Sequence, residues 1–429
     1  MMLKTEKQAA FSLALIYAFR MIGLFMILPV FSLYASDYAG ATPVLIGLAI
    51  GVYGLTQGLF QLPFGFLSDR VGRKKMIILG LLLFCAGSVA AALADSIQQI
   101  IFGRALQGMG AIAAVVMALA ADLSREEIRI RIMAVIGMSI GAAFMVSMIA
   151  GPILAASIGV SGIFWITAVL AVLSIVIVIF ITPNPQQQIF HRDAQLSVAD
   201  IGKVIVNREL LRLDFGVFVL HMVLAATFVL FPLMLRDQLQ IDVAEHWKTY
   251  LSVFVLSILI MVPMIIYAEK QSQMKPMFLL GILCVGLAEL GLSQFSGYAA
   301  IFIMLMLFFA GFNFLEASLP SLVAKIAPAD MKGTAMGLFS TAQFLGAFAG
   351  GMLGGTMLAY TSHQPAFIEL AGMVVLWWLV ALFMQKPQPV SSRIVSLSGF
   401  DESSIIHFRQ QVEKLPGVQE LTVYLDDKI

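Results

Sequence analysis

The sequence predicts an all-α polytopic membrane protein, with twelve transmembrane helices in two six-helix halves and a small α+β module at the C-terminus. Its composition, its helix-length apolar runs and a repeat of its charged turns each point there. Of 429 residues, 60% are hydrophobic and 12% charged, and the mean hydropathy is +0.95. A water-soluble core of this length requires no such apolar excess. A helix needs about 20 apolar residues to cross roughly 30 Å of hydrocarbon, whereas barrel strands need only about 10 with alternating polarity. The runs here are long and apolar all round.

The first half, 1–185, holds runs at 11–33, 44–67, 76–94, 97–121, 132–156 and 162–181. A polar loop, 186–209, separates it from the second half, 210–385, with runs at 210–235, 247–268, 277–293, 299–324, 333–358 and 367–384. A linker, 386–392, leads to a final segment, 393–429. Lys4, Lys7, Arg70, Arg73, Lys74, Lys75, Arg125, Arg129, Arg131 and most later cations fall on one side of this topology, while the other side holds Arg236 and Lys248. The positive-inside rule then puts both termini in the cytoplasm. The first run follows a short basic stretch without a small-residue cleavage site, so it is expected to be retained. Cys85 and Cys284 lie inside runs three and nine, which implies neither a disulfide framework nor a metal cluster. A net charge of +1 gives no reason to expect nucleic acid as a partner.

The most informative stretch is Gly65-Phe66-Leu67-Ser68-Asp69-Arg70-Val71-Gly72-Arg73-Lys74-Lys75, a charged turn bounded by glycines between runs two and three. Gly65 and Gly72 permit tight backbone geometry, and Asp69 is placed to accept from free amides at a helix start. Arg73 is expected to hold an acidic partner at the end of run four, Asp122 first and Glu126 second. A plain topogenic loop would need only the cations, Arg70, Arg73, Lys74 and Lys75, in any order. The turn returns in worn form as Ala268-Glu269-Lys270, about 200 residues on, as parallel six-helix halves would require. Arg73 has only Gln273 as its counterpart there, so the strong turn belongs to the first half.

This turn resembles the signature of the major facilitator superfamily, GxLaDrxGrkxxl. Arg104-Ala105-Leu106-Gln107-Gly108-Met109-Gly110 on run four resembles the family's RxxQGxG motif, and Pro29, Asp37, Gly40 and Gly47 fit its pattern around the first outer loop. On run five, Gly151-Pro152 resembles part of the motif of drug:proton antiporters, with Ser147 for a glycine and Ala155 and Ala156 for the final pair. The resemblance, over about 1–385, implies the family's twelve-helix fold, a bacterial inner-membrane location and a turn that latches the halves when the cavity faces outward. It makes Arg104 a cavity residue near the proton machinery; the alternative is a structural arginine bonded to backbone carbonyls. Gly151 and Pro152 would allow close helix approach and a bend.

Ionisable and polar groups inside the runs are few, and each is costly in lipid. Arg20 on run one and Glu316 on run ten sit at similar depth, on helices that line the cavity in this family. Asn313 precedes Glu316 by one turn, and His221 lies midway along run seven. Glu316 is a candidate to carry a proton or substrate, against a fixed ion pair with an arginine; His221 is weighed against a helix-packing histidine. Tyr53, Gln57 and Gln61 share one face of run two at i, i+4 and i+8, expected to look into the cavity, with interhelical hydrogen bonding as the alternative. Glu289 reads as a carboxylate snorkelling at the outer end of a peripheral helix.

In the final segment, 393–397 alternates like a strand, a polar helix follows over about 402–415, and Pro416-Gly417 leads to a second strand. It resembles the start of the ferredoxin-like modules of heavy-metal-associated proteins, but Glu402 and Ile405 stand where those carry CxxC, so soft-metal binding is not expected. The copy looks incomplete and is expected to regulate, against the face of the transporter or another protein. The chain carries neither GxxxxGK[ST] nor a DKTG site to couple ATP. The expectation is a monomeric, cofactor-free secondary transporter that spans the lipid bilayer, uses the proton gradient and exports a small amphipathic molecule. A carrier-derived sensor and a proton symporter for uptake stay open.

Overall fold

The computed structural model describes residues 2–184, 198–328, 331–361 and 363–386, with Phe408, Gln411 and Val412 beyond them. The long helices are α1 (Lys4–Phe25), α2 (Pro43–Val71), α3 (Arg73–Ala92) and α4, in two pieces (Ile97–Met109 and Ala113–Asp122). Helices α5 and α6 are the two arms of Glu126–Phe180, and α7 is Arg208–Asp237. There follow α8 (His246–Lys270), α9 (Met274–Gln294), α10 (Tyr298–Ile326), α11 (Lys332–Tyr360) and α12 (His363–Leu382).

Local chemistry sets the ends. Thr42 Oγ1 accepts from Leu45 N at 3.3 Å, with Pro43 in the first helical turn, and Asn207 Oδ1 accepts from Glu209 N and Leu210 N at 3.0 and 3.3 Å; both satisfy amides that a helix start leaves free. Ser96 and Gln99 form a reciprocal capping box at α4. The apolar stretch Arg131–Phe180 is 50 residues long, about 75 Å as a helix, far more than one crossing. Gly159, at φ 70° and ψ 178°, breaks it into two spans, a backbone state open to glycine. Run one was expected over 11–33, but α1 ends at Phe25; Pro29 lacks an amide and restricts Leu28, so the chain turns there and resumes as a short helix, Phe31–Tyr34.

The two halves meet along α2 and α11. Gly51 and Gly54 face the carbonyls of Phe348 and Phe344, and Gly47 packs on Gly351 and Gly355. This seam of close backbone approach runs from Pro43 to Gly58 on α2 and from Thr341 to Gly355 on α11. It stops about 16 Å short of Asp69, at 1.5 Å per residue. A second face of α11, Gly346, Gly350 and Gly354, takes Phe218, Met222 and Ala226 of α7. Phe144 of α5 enters an aromatic cluster of the second half, at 5.3 Å from Phe254, 6.3 Å from Phe228 and 6.4 Å from Phe309. Further out, Arg236 Nη1 donates to Leu33 O at 3.4 Å. The bundle is thus sealed at the end away from the Gly72 turn.

Residues Gln388–Ile429 form a separate compact unit. The strands expected in 393–429 lie outside the described residues, of which Phe408, Gln411 and Val412 are helical.

Candidate functional site

Three clusters of buried polar groups stand out. The first is the turn. Gly72, at φ 107°, ends α2 and starts α3, which swings Arg73 back over the last turn of α2. Arg73 pairs with Asp69, donates from Nη1 to Ser68 Oγ at 2.6 Å and from Nε to Asp122 Oδ2 at 3.2 Å. Ser68 Oγ in turn donates to Gly65 O at 2.6 Å. Asp69 was expected to accept from helix-start amides and instead serves Arg73, which lies one turn ahead. Arg73 and Asp122 keep 6% and 3% of their side chains exposed, so the pair is effectively desolvated. Lys74 binds Thr182 O and Asn184 Oδ1 at 2.7 and 2.9 Å, while Arg70 is exposed. Glu126 opens α5, and its side chain lies outside the described ones. These contacts join α2, α3, α4 and the end of α6, all in the first half. The worn copy differs: Glu269 and Lys270 are exposed.

The second cluster is a pair of arginine networks inside the first half. Arg20, 2% exposed, donates to Gln57 Oε1 and, at 2.8 Å, to Gly110 O. That carbonyl is available because α4 is interrupted at Gly110. Tyr53 Oη donates to Gln57 Oε1 at 3.3 Å and Gln57 Nε2 to Gln61 Oε1 at 3.0 Å. Arg104 donates to Gln107 Oε1 at 2.9 Å and Ala49 O at 3.3 Å, and Gln107 Nε2 donates to Ser88 Oγ at 2.8 Å. The Arg104 guanidinium also lies 5.0 Å from the Tyr53 ring centre. A Cβ on Gly108 would strike Tyr53 O and Thr56 Oγ1, so this glycine lets α4 approach α2. The α2 face expected to line a cavity is therefore buried between helices: Tyr53, Gln57 and Gln61 are each 2% exposed or less, held there by Arg20. Neither arginine meets a carboxylate in these contacts.

The third cluster lies in the second half and joins α7, α10 and α11. His221 Nδ1 faces Val217 O at 3.2 Å, and its Nε2 lies 2.8 Å from Gln343 Nε2 and 3.5 Å from Glu316 Oε2. Gln343 Nε2 also donates to Glu316 Oε1 at 3.2 Å. One tautomer satisfies the three hydrogen bonds: Nδ1–H donates to the carbonyl, and Nε2 accepts one amide hydrogen of Gln343 while the other goes to Glu316. Glu316 keeps 38% of its side chain exposed although it sits mid-helix. His221 and Glu316 were separate candidates, and the fold brings them together. Arg20, expected at the same depth, is enclosed in the other half. Asn313 turns aside, donating to Ser257 Oγ of α8 at 3.2 Å. Gln343 was overlooked, although it is a lone amide in an apolar and glycine-rich run.

Two further acids emerge. Glu289, expected at the surface, is fully buried and accepts from Thr227 Oγ1 at 2.8 Å. Its stripe, Gly281, Val285, Ala288 and Leu292, is buried at helical spacing, which would have turned it inward on a closer reading. Asp214, one helical repeat before His221 on α7, is half-buried. On α5, Gly151 packs on Met26 O and Pro29 of the first half, and Ser147 Oγ donates to Ile22 O at 3.2 Å. Pro152 lies inside helix α5, and the non-helical Gly159 is the turn between α5 and α6, in the gap expected between runs five and six.

A repeated twelve-helix bundle with ionisable groups between its helices defines a membrane transporter of the secondary class. The chain belongs to the Major Facilitator Superfamily, whose family model matches residues 13–351 and 213–416. It is 45% identical over 391 residues to the inner membrane transport protein YajR of Escherichia coli strain K12, covering 90% of this chain and 85% of the relative. It is 24% identical to the multidrug resistance protein MdtH of Aeromonas salmonicida, covering 85% and 93%. Among solved structures, an inward-facing, occupied bacterial homologue of the human lysosomal transporter Spinster shares the fold, with TM-score 0.74, 14% identity and coverage of 90% and 98%.

Proposed function

We propose that this chain is a proton-coupled exporter of a small amphipathic compound, working by alternating access with both termini cytoplasmic. The His221–Gln343–Glu316 cluster carries the reading. With the Gly72 turn on the cytoplasmic side, the seal through Gly51, Phe144 and Arg236 lies on the outer side, and Glu316 is reached from the cytoplasm. A proton on His221 Nε2 removes the acceptor that holds Gln343 and creates a donor 3.5 Å from Glu316 Oε2. Protonation thus exchanges a hydrogen bond to Gln343 for an ion pair, releasing an amide that bridges α7, α10 and α11. A cationic or hydrogen-bonding substrate competes with that proton for the Glu316 carboxylate, which is the basis of antiport. Phe312, its ring 5.9 Å from that of His221, supplies an apolar wall. The similarity to a multidrug resistance protein supports export.

On this reading Asp69, Arg73 and Asp122 preassemble a latch within the first half that engages the second half when the cytoplasmic side closes. The segment 393–429 is a ferredoxin-like regulatory module without metal. Proteoliposomes loaded with a lipophilic cationic dye such as ethidium, under an imposed pH gradient, test the proposal. Wild-type protein exchanges dye for protons and Glu316→Gln abolishes the exchange. Exchange unaffected by Glu316→Gln refutes the site, dye binding without turnover favours the sensor, and dye and proton moving together favour the symporter.

A further inference from the structure

We propose that Asp214 is the proton-entry residue of the second half, taking protons at the cytoplasmic mouth and passing them to the His221–Glu316 pair. The inference rests on the reading of that pair as the protonation site. Asp214 and His221 are seven residues apart on α7, two turns of helix, which puts them within about 20° of one another and about 10 Å apart along the axis. The direction of their shared face is fixed by contacts on either side. His221 meets Gln343 of α11 and Glu316 of α10, and Phe218 packs on Gly346 of α11. The α7–α11 register advances by four on both helices, from Phe218 and Gly346 to Met222 and Gly350 and then to Ala226 and Gly354. One step back places Asp214 at the level of Ala342, beside Gln343 and at the inner end of the seam, where Gly58 meets Thr341. On α7 Asp214 therefore lies two turns nearer the end of the bundle that carries the Gly72 turn than His221 does.

A carboxylate in that position is costly, being half-buried and making neither a hydrogen bond nor an ion pair among the described residues. Among the cations on this side, Arg212 pairs with Glu209, Lys203 of the short helix Val198–Val206 has a partner, and Arg208 is exposed; Lys332 opens α11. From the helices packed on α7, the stretch of α11 from 333 to 359 holds no titratable side chain. Helix α10 offers Glu316 and Lys325, and α12 offers the exposed Glu369. Fixed pairing thus gives no reason for an acid at 214, while exchange of a proton with the mouth does. In the step, Asp214 carboxylate takes a proton from hydronium. Its O–H bond then breaks as solvent in the mouth carries the proton on to His221 Nε2 or a Glu316 oxygen, which restores the Asp214 carboxylate.

The test uses the full chain in lipid nanodiscs, with protons released by photolysis of a caged acid and the infrared band of protonated carboxyl groups followed in time. The band lost in Glu316→Gln reports Glu316. In Asp214→Asn this band should reach the same final amplitude but rise roughly tenfold more slowly, below the full effect of a positioned proton-transfer group because solvent still reaches the pair. Asp214→Glu should keep the fast rise, and a high concentration of imidazole buffer should restore it in Asp214→Asn. An unchanged rise in Asp214→Asn overturns the proposal, and so does a slow rise that imidazole leaves slow, which marks a structural residue. A spectrum that loses no band in Glu316→Gln defeats the underlying reading of the pair instead, and can be told apart because it involves no change at Asp214.

Discussion

Gly51→Ala should push the protein out of the conformation described here. A Cβ at Gly51 would lie 2.7 Å from Phe348 O and 3.2 Å from Phe348 Cα, both backbone atoms of α11 that no rotamer change can clear. Restoring ordinary contact requires α2 and α11 to separate by about 0.7 Å along a seam packed glycine on glycine. Overpacking of that kind costs about 1–3 kcal/mol. The cost falls on the conformer in which the seam is closed, so the ratio of conformers should move by roughly five- to 150-fold toward the one in which it parts. Spin labels at Asp37 and Lys248, exposed near the sealed ends of the two halves, would read this as longer distances between the halves in electron–electron resonance. Gly137→Ala is the control, because a Cβ there meets nothing within 4 Å. Equal distance distributions in Gly51→Ala and the unmutated chain would refute the seam as the gate, and an equal shift in Gly137→Ala would refute its specificity.

On the latch proposal Asp69 gains a contact with the second half when the turn end closes, and an exposed contact of that kind contributes about 1 kcal/mol or less, so Asp69→Asn should lower the share of the closed conformer by up to about fivefold. Cysteine labelling of cavity positions measures it, and an unchanged share removes the latch. Asp122→Asn should cost more, about 3 kcal/mol, because it strips a partner from an arginine that is itself enclosed; a thermal unfolding midpoint no lower than that of Asp69→Asn would contradict this ordering. Thr227→Val should destabilise the second half by about 1–3 kcal/mol by leaving Glu289 without its donor, seen as a lower unfolding midpoint in detergent that Glu289→Leu in the same chain partly recovers.

The fold was legible because lipid makes one demand on every span, so run length and the side of the cations carry the topology. Where the prediction slipped, a backbone rule won: Pro29 ended α1 early, whereas Gly159 turns the chain in the gap expected between runs five and six. The turn was legible as a set of residues because it is local, with Asp69, Gly72 and Arg73 within one helical turn. Asp122 was accessible by topology, since α3 begins on the side where α4 ends. The α2 polar face was not, because periodicity says that Tyr53, Gln57 and Gln61 share a face but leaves open what meets it. The answer came from Arg20 on another helix, and no spacing on α2 contains it.

The same distinction explains the ionisable groups. Arg20, Arg104, Glu289 and Glu316 were read in the sequence as intramembrane charges, and residue number alone puts the arginines in the first half and these acids, with Asp214, in the second; the tertiary fact is that Arg20 and Arg104 are enclosed by helices of their own half. Carboxyl groups can shed their charge by taking a proton, whereas arginine keeps its proton in proteins. The first half can therefore hold its cations only in fixed networks of carbonyls and amides, as Gly110 O, Ala49 O and Gln57 do. The second half can change its charge during a cycle without moving a side chain across lipid. Under the proposed mechanism this chemistry divides the labour, with fixed arginine networks and the latch in the first half and the proton-carrying acids in the second. It requires that Arg104→Lys, which keeps the charge but not the planar fork, impair folding or conformational balance rather than abolish the infrared signal of Glu316.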